Sequence, residues 1–335
     1  MKFQDVGLLK SQEDLFLSRA AYSQGKLEAL ASNLKNATHT GYFKSMAIYA
    51  AGSYGRLEAS SHSDIDLFFV LNRRREEFDE FHVPEIQLLS EIIGIGYKMD
   101  FPKFSNDGEF LRILFIDEVL KELGSRADDF LNHFTGRMLL LLESRPVFGS
   151  DIHSSLLKQT VESYFRDYPY HPKNFRPTFL INDILRYWKT LCLNYEHRRN
   201  QEDERTKIKQ KVKNFKLKYS RLMTCFATVA KLGTYRETIS PEEVTKICHM
   251  TPAERLRSIA PTAMPALSLQ IKHVLELYCW FLEKTALSTE QLELYFTVEK
   301  NRQEAFDNAQ AFGDSFFEIL KLIDQTNHNM RYLVV

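Results

Sequence analysis

The chain has 335 residues, about twice the usual length of one domain, so two domains are expected. Hydrophobic residues make up 44% and charged residues 26%, a globular composition that excludes a disordered or collagen-like chain. Lys plus Arg and Asp plus Glu each number 44, so the net charge of zero gives no overall attraction to nucleic acid or membrane.

Cysteine usage and the apolar runs predict the compartment. The cysteines are scattered, with neither a Cys-x-x-Cys pair nor a metal-binding spacing: Cys192, Cys225, Cys248 and Cys279. This pattern fits reduced thiols in a cytosolic protein. The first residues lack the apolar stretch of a signal peptide, and apolar runs such as Met138 to Leu142 are far too short to cross a bilayer. We therefore expect a soluble cytoplasmic protein with no membrane partner.

Hydrophobic periodicity over residues 1–145 predicts an α+β domain. In chain order, the pattern predicts a helix over 1–35, strands over 45–51 and 64–71, a helix from Pro84 to Gly94–Gly96, and a strand over 97–101. This order of elements indicates a small mixed sheet with helices packed on it.

Residues 146–335 have a different character. The period is helical almost throughout, with breaks at 169–177, 233–241 and 252–265. The sequence therefore predicts that the α+β domain of residues 1–145 is followed by an all-α helical domain over 146–335.

The segment from Gly52 to Asp66 carries the chemistry. Asp64 and Asp66 alternate along a predicted strand, which places both carboxylates on one face. Such close carboxylates repel unless a cation lies between them, and Mg²⁺ prefers oxygen ligands of this kind. Gly52 lets the backbone approach a phosphate, whose oxygens can accept hydrogen bonds from N–H groups and the Ser53 hydroxyl. Either half of this pattern alone is common, but a strand as apolar as 65–70 is expected to be buried, which favours a functional reason for its acids.

These residues resemble the signature of a known superfamily. Gly52-Ser53, then ten residues, then Asp64-Ile65-Asp66-Leu67 is similar to the motif of the DNA polymerase β-type nucleotidyltransferases. The longer form, Gly-Ser-Tyr-Gly-Arg followed by Ser-Asp-Ile-Asp-Leu, is most similar to bacterial uridylyltransferase-type members that modify proteins.

The resemblance implies an activity and its ligands. A nucleoside monophosphate passes from a nucleoside triphosphate, such as ATP, to an acceptor, and pyrophosphate leaves. Asp64 and Asp66 hold two Mg²⁺ ions, for which Mn²⁺ can substitute, and Gly52 and Ser53 hold the triphosphate. A third carboxylate comes from a later strand; Asp100, on the predicted strand 97–101, is the candidate, with Asp107 as the reserve.

Four further residues are candidates for phosphate binding. Arg56 is expected to be exposed in the motif loop, where it can pair with phosphate or with Glu58. In the stretch 198–221, ten Lys or Arg stand against three acids. The superfamily commonly clamps the triphosphate with a Lys and a Ser or Tyr of its helical domain, which here implies Lys216, Lys218 and Ser220. The alternatives for this stretch are nucleic-acid binding and a solvated helix face.

Three functions are compatible with the sequence. The first is a nucleotidyltransferase, with nucleotide between the two domains and a protein, an RNA or a small molecule as acceptor. The second is a catalytically inactive relative that binds nucleotide or a partner for regulation, which a missing third acid would favour. The third is an enzyme directed at nucleic acid, which a basic helix continuing the active-site cleft would favour.

Overall fold

The computed structural model describes residues 6–37, 41–78, 81–102, 104, 108, 110–173, 175–198, 204–236, 238–260 and 264–328. The chain divides into two compact units. One is Ser18–Arg166, and the other combines the residues up to Leu17 with Asp167–Val335.

A four-stranded mixed sheet forms the centre of Ser18–Arg166. Its strands are β1 (Met46–Ala51), β2 (Asp66–Leu71), β3 (Ile113–Phe115) and β4 (Arg145–Phe148). They lie in the order β3-β2-β1-β4; β1 is antiparallel to both β2 and β4, and β3 is parallel to β2. The predicted mixed sheet with helices is confirmed.

Helices cover both faces of this sheet. The helices are α1 (Lys10–Lys35), α2 (Gly52–Gly55), α3 (His82–Lys98), α4 (Ile116–Lys121), α5 (Arg126–Phe130), α6 (His133–Glu143) and α7 (Ser150–Ser163). Alternate strand residues such as Ile48 and Phe69 join α1 and α3 in one apolar core. Tyr49 points to the other face, where its ring meets that of His153 on α7, with centroids 5.5 Å apart. The strands are therefore apolar on both faces, as expected of a sheet covered twice.

The predicted strand over 97–101 is wrong. Helix α3 continues through Gly94 and Gly96 to Lys98, and nothing crowds a side chain at Gly94. The helix ends because Asp100 takes a left-handed φ of 55° and the Phe101 N–H donates to the Gly96 carbonyl at 3.2 Å. The local sequence is compatible both with a helix that continues through two glycines and with a strand that begins after them. The third strand is β3, later in the chain.

Strand β4 belongs to the first compact unit, which therefore extends beyond the predicted domain boundary. Composition predicts a boundary between residues 145 and 146, whereas Arg145–Phe148 pairs with β1 and the compact unit continues to Arg166. Gly149 makes this connection, since its φ is +64° and a Cβ there would lie 2.2 Å from the Met46 carbonyl oxygen. The short strand carries a proline and little periodicity, so the sequence gives no signal for it.

The second unit is helical beyond Asp167, as predicted for this region. Its helices are α8 (Thr178–Arg198), α9 (Glu204–Lys216), α10 (Leu222–Gly233), α11 (Pro241–His249), α12 (Pro252–Arg257), α13 (Pro265–Lys284), α14 (Thr289–Thr297) and α15 (Glu299–Asn327). A π-helical segment, Leu217–Arg221, joins α9 to α10 without a break. Across the described parts of the chain, no helix combines the length and apolarity needed to span a membrane.

Candidate active site

The Gly-Ser turn lies beside Asp66. Strand β1 ends at Ala51, which lies opposite Asp66 in the antiparallel register, and the chain then turns through α2. Gly52 has a φ of +63°, and a Cβ placed on it would lie 2.8 Å from Asp66 Oδ2. Only glycine combines this backbone conformation with this closeness at low cost. The first turn after β1 therefore lies directly against the carboxylate.

Glycine and arginine in the same motif fix the turn to α6. A Cβ on Gly55 would lie 1.8 Å from the Glu143 carbonyl oxygen, so the backbones of α2 and α6 touch. Arg56 Nη1 lies 2.5 Å from Glu143 Oε2, and Arg56 Nε lies 2.8 Å from Glu58 Oε2. All three charged side chains are buried. The expectation of an exposed Arg56 is wrong because α6 covers it, and its pairing with Glu58 is one of the two predicted alternatives.

Helix α1 holds the loop that follows the turn. The Ser23 hydroxyl accepts a hydrogen bond from the Ala59 N–H at 2.9 Å. One turn earlier, burial lowers the pKa of Arg19, and the nearby Glu58 carboxylate opposes this shift. Burial, a hydrogen bond with Tyr22 and the charge of Asp64 raise the pKa of Tyr54. The loop between the turn and the acids is therefore held by three neighbouring positions of one helix.

The two motif acids are half-buried at the start of β2. Asp66 is its first residue, and Asp64 lies in the preceding loop rather than within the strand. Ile65, between the two acids, is 1% exposed and lies in the core. The acids on either side of it both retain access to solvent. A turn closed by the Ser63 N–H donating to the Ser60 carbonyl at 3.1 Å precedes them.

This geometry agrees with a family comparison. Residues 42–135 match a family model. This model describes a nucleotidyltransferase domain, to which these residues are similar. The match spans β1, the Gly-Ser turn, both motif acids and β3, and it supports the polymerase β-type superfamily that the motif resembles. No curated protein matches the chain.

Asp100 does not lie on a strand, although the sequence predicts one there. It is exposed, in the turn that ends α3. The next residue, Phe101, packs edge-on against Tyr54 with ring centroids 5.6 Å apart, so this turn is beside the Gly-Ser segment. The neighbour of β2 in the sheet, β3, contains no acid. Asp107, the reserve candidate, lies outside the described residues.

The acids fit a divalent cation that arrives with its substrate. Within the described ranges, no three His, Cys, Asp or Glu side chains come together as a metal-binding group. Mg²⁺ is commonly held by one or two carboxylates together with substrate phosphates, rather than by a complete protein cage. Asp64 and Asp66, both half-buried beside the Gly-Ser turn, are candidates for such a partial set.

The structure does not bring Lys216, Lys218 and Ser220 together as one anion-binding surface. Lys216 is exposed, and the buried Ser220 hydroxyl donates to the Lys216 carbonyl at 2.8 Å. Lys218 instead lines a groove in the helical unit. The π-helical segment changes the spacing at these positions, so the regular helical faces assumed from sequence do not apply.

Sequence reasoning misses the residues that support the motif from a distance. Glu143 and Ser23 contact it from α6 and α1. For Glu143 there is a signal, because an acid directly after the apolar run 138–142 is a buried charge that needs a partner. Ser23 gives none, since a serine in an amphipathic helix is ordinary.

Proposed function

We propose that this chain transfers a nucleoside monophosphate from a nucleoside triphosphate to an acceptor, with release of pyrophosphate. The observation that carries the proposal is the closeness of the Gly52 backbone to Asp66 Oδ2, which would lie 2.8 Å from a Cβ on this glycine. A triphosphate placed on the turn would lie against a carboxylate, an arrangement that is repulsive unless a divalent cation binds with it. Nucleotide binding and cation binding are therefore expected to depend on each other.

The residues of the turn and of β2 take separate roles in this proposal. Backbone N–H groups of the turn and the Ser53 hydroxyl hydrogen-bond the phosphate oxygens. Asp64 and Asp66 would hold two Mg²⁺ or Mn²⁺ ions. When bound, such ions lower the pKa of the attacking hydroxyl and neutralise charge on the leaving pyrophosphate. Asp100 is proposed as the third carboxylate, on the side of the acceptor.

The uridylyltransferase-like form of the motif supports a protein acceptor. Gly52 to Arg56 in that motif have defined positions here, since Gly55 and Arg56 fix the turn to α6. This support concerns the shape of the turn and does not extend to the base of the nucleotide. RNA and small molecules are the other acceptor classes that an experiment must include.

A second function, nucleotide binding without transfer, has a specific observation in its favour. Among the residues that the structure describes, no third acid joins Asp64 and Asp66 in a metal-binding group. A chain with two acids can bind a metal-chelated triphosphate and yet fail to activate an acceptor. Such a protein would regulate a partner according to nucleotide supply.

One experiment separates the two functions. The full chain is incubated with each of the four nucleoside triphosphates labelled at the α-phosphorus, with Mg²⁺, with Mn²⁺ and with chelator. Nucleotide binding and pyrophosphate release are both measured, and the label is followed into protein, RNA and small molecules of a cell extract. Metal-dependent release that Asp66→Asn abolishes and Gly25→Ala preserves supports transfer. Metal-dependent binding without any release supports the regulatory function, and the absence of both contradicts the site.

A further inference from the structure

The helical unit contains a groove between α9 and the beginning of α15. Its volume is about 210 Å³, below the roughly 300–1,000 Å³ of most small-molecule sites, so it suits a small ligand or one part of a larger ligand. Its floor is apolar and includes Phe215, Phe296 and Ala309. Its rim is basic, with Lys211, Lys218 and Arg302 against one carboxylate, Glu299, among the described lining residues.

Lys218 is the distinctive group of this groove. Its ammonium lies 4.2 Å from the centroid of the Phe306 ring. In the part of the chain that the structure describes, this ammonium has neither a hydrogen bond nor an ion pair, although the side chain is only partly exposed. Burial lowers the pKa of Lys218, with the nearby Cys192 opposing the shift. A cation in this position is destabilised by desolvation, and an anion beside it would relieve that cost.

The backbone explains why Lys218 reaches the groove. Lys218 lies in the π-helical segment 217–221, where the wider turn offsets it from the regular spacing of α9. π-Helical insertions of this kind occur often at functional sites, because they place one side chain where a regular helix would not. The next residue, Tyr219, is fully buried in an aromatic cluster that includes Phe281 and Phe312, which anchors the segment.

The other two cations differ in availability. Arg302 Nη1 donates to the Phe296 carbonyl at 3.1 Å and to the Thr297 carbonyl at 2.7 Å, so part of this guanidinium closes the end of α14. Lys211 is exposed at the rim. The groove therefore offers one poorly solvated cation, Lys218. Arg302 and Lys211 would contribute less to the binding of an anion, so the groove suits a single anionic group better than a triphosphate.

The apolar walls define the rest of the ligand. Phe306 is 52% exposed, a large open surface for an aromatic residue that borders a groove. Phe296 and Phe215 line the buried floor beside it, so a planar group would stack on the exposed Phe306 ring. We propose that this groove binds a small anion with a planar apolar ring, whose phosphate or carboxylate group pairs with Lys218. The groove lies in the helical unit, whereas the proposed catalytic residues belong to Ser18–Arg166.

Calorimetry on the full chain with defined probes tests the site. The probes are AMP, indole-3-acetate, inorganic phosphate, indole and ATP with Mg²⁺. The Asp66→Asn background reduces nucleotide binding at the catalytic acids, so that a failure of the proposed function does not affect the result. The variants are Lys218→Met, Lys218→Arg and, as a control on an exposed position of α9, Lys213→Met.

The expected result is binding of AMP or indole-3-acetate that Lys218→Met weakens at least ten-fold. Lys218→Arg should restore part of the affinity, and Lys213→Met should leave it unchanged. The two ring anions then distinguish a phosphate ligand from a carboxylate ligand. Four outcomes would overturn the proposal: neither ring anion binds; Lys218→Met has no effect; phosphate alone binds as well as AMP; or ATP with Mg²⁺ binds best and depends on Lys218, which would make the groove a triphosphate clamp.

Discussion

Substituting Gly52 by alanine is the sharpest test of the turn. An L-residue in the left-handed region costs about 1–2 kcal/mol, and the φ of Gly52 is +63°. The added Cβ would lie 2.8 Å from Asp66 Oδ2, whereas ordinary contact begins at 3.4 Å, so the carboxylate must move by about 0.6 Å (3.4 minus 2.8). For a unit of this size, 1–2 kcal/mol lowers Tm by roughly 2–8 °C. A shift of this size in a catalytic group can weaken function by about ten-fold or more.

Two measurements check the two parts of this prediction. Thermal unfolding reports the backbone cost, and titration of a non-hydrolysable triphosphate with Mg²⁺ reports the displaced carboxylate. Gly25→Ala is the matched control, because Gly25 lies within α1 and nothing comes within 4 Å of a Cβ there. That control should be neutral or stabilised by up to about 1 kcal/mol. If Gly52→Ala has the same Tm and the same affinity as the wild-type chain, the geometric reasoning is refuted.

Three further predictions concern the same motif. Asp64→Asn and Asp66→Asn should each abolish Mg²⁺-dependent transfer with an unchanged circular dichroism spectrum, and full activity in either would contradict the metal site. Gly55→Ala should destabilise the chain by at least the roughly 1–3 kcal/mol typical of overpacking, measured by denaturant unfolding, because its Cβ would meet the Glu143 backbone. Arg56→Met should cost roughly 3–5 kcal/mol, as for other broken buried ion pairs. A loss of nucleotide affinity in Arg56→Met at unchanged stability would instead indicate a phosphate ligand.

The local structure around the Gly-Ser turn could be predicted from sequence because its constraints are local. A strand, a Gly-Ser turn and a second apolar strand occur within a short stretch, and the antiparallel pairing that joins them needs only a loop. The observed β1 and β2 begin and end within two residues of the predicted strands. The same locality explains why the sequence alone predicts that Gly52 and Asp66 lie near each other.

The parts that failed depend on distant contacts. The sequence of residues 97–101 is compatible both with the end of α3 and with a strand. Packing decides between the two, since Phe101 contacts Tyr54 and Lys26 Nζ donates to the Met99 carbonyl at 3.3 Å. The strand β4 exists because β1 has an open edge to pair with. Arg56 is buried because Glu143, far along the chain, reaches it. None of these partners is visible in the local pattern.

The third carboxylate decides between transfer and binding alone, and Asp100→Asn tests the main candidate. Asp100 holds a left-handed φ of 55°, which asparagine tolerates as well as aspartate does, so the variant removes charge and keeps the turn. If Asp100 completes the site, transfer should fall at least about a hundred-fold, since a catalytic metal contributes several kcal/mol and each 1.36 kcal/mol is ten-fold in rate. Triphosphate affinity should change little, because Asp64 and Asp66 remain.

Asp151→Asn is the control for this variant, because Asp151 is an exposed acid in the first turn of α7. Asp107→Asn, assayed in parallel, tests the reserve candidate for the third carboxylate. Wild-type rates in Asp100→Asn with loss in Asp107→Asn would move the third ligand to Asp107. Wild-type rates in both would contradict a third carboxylate at either position. Binding of the triphosphate without transfer, in the wild-type chain itself, would establish the regulatory function, because two carboxylates suffice to hold a chelated nucleotide and a third is needed only where the acceptor is activated.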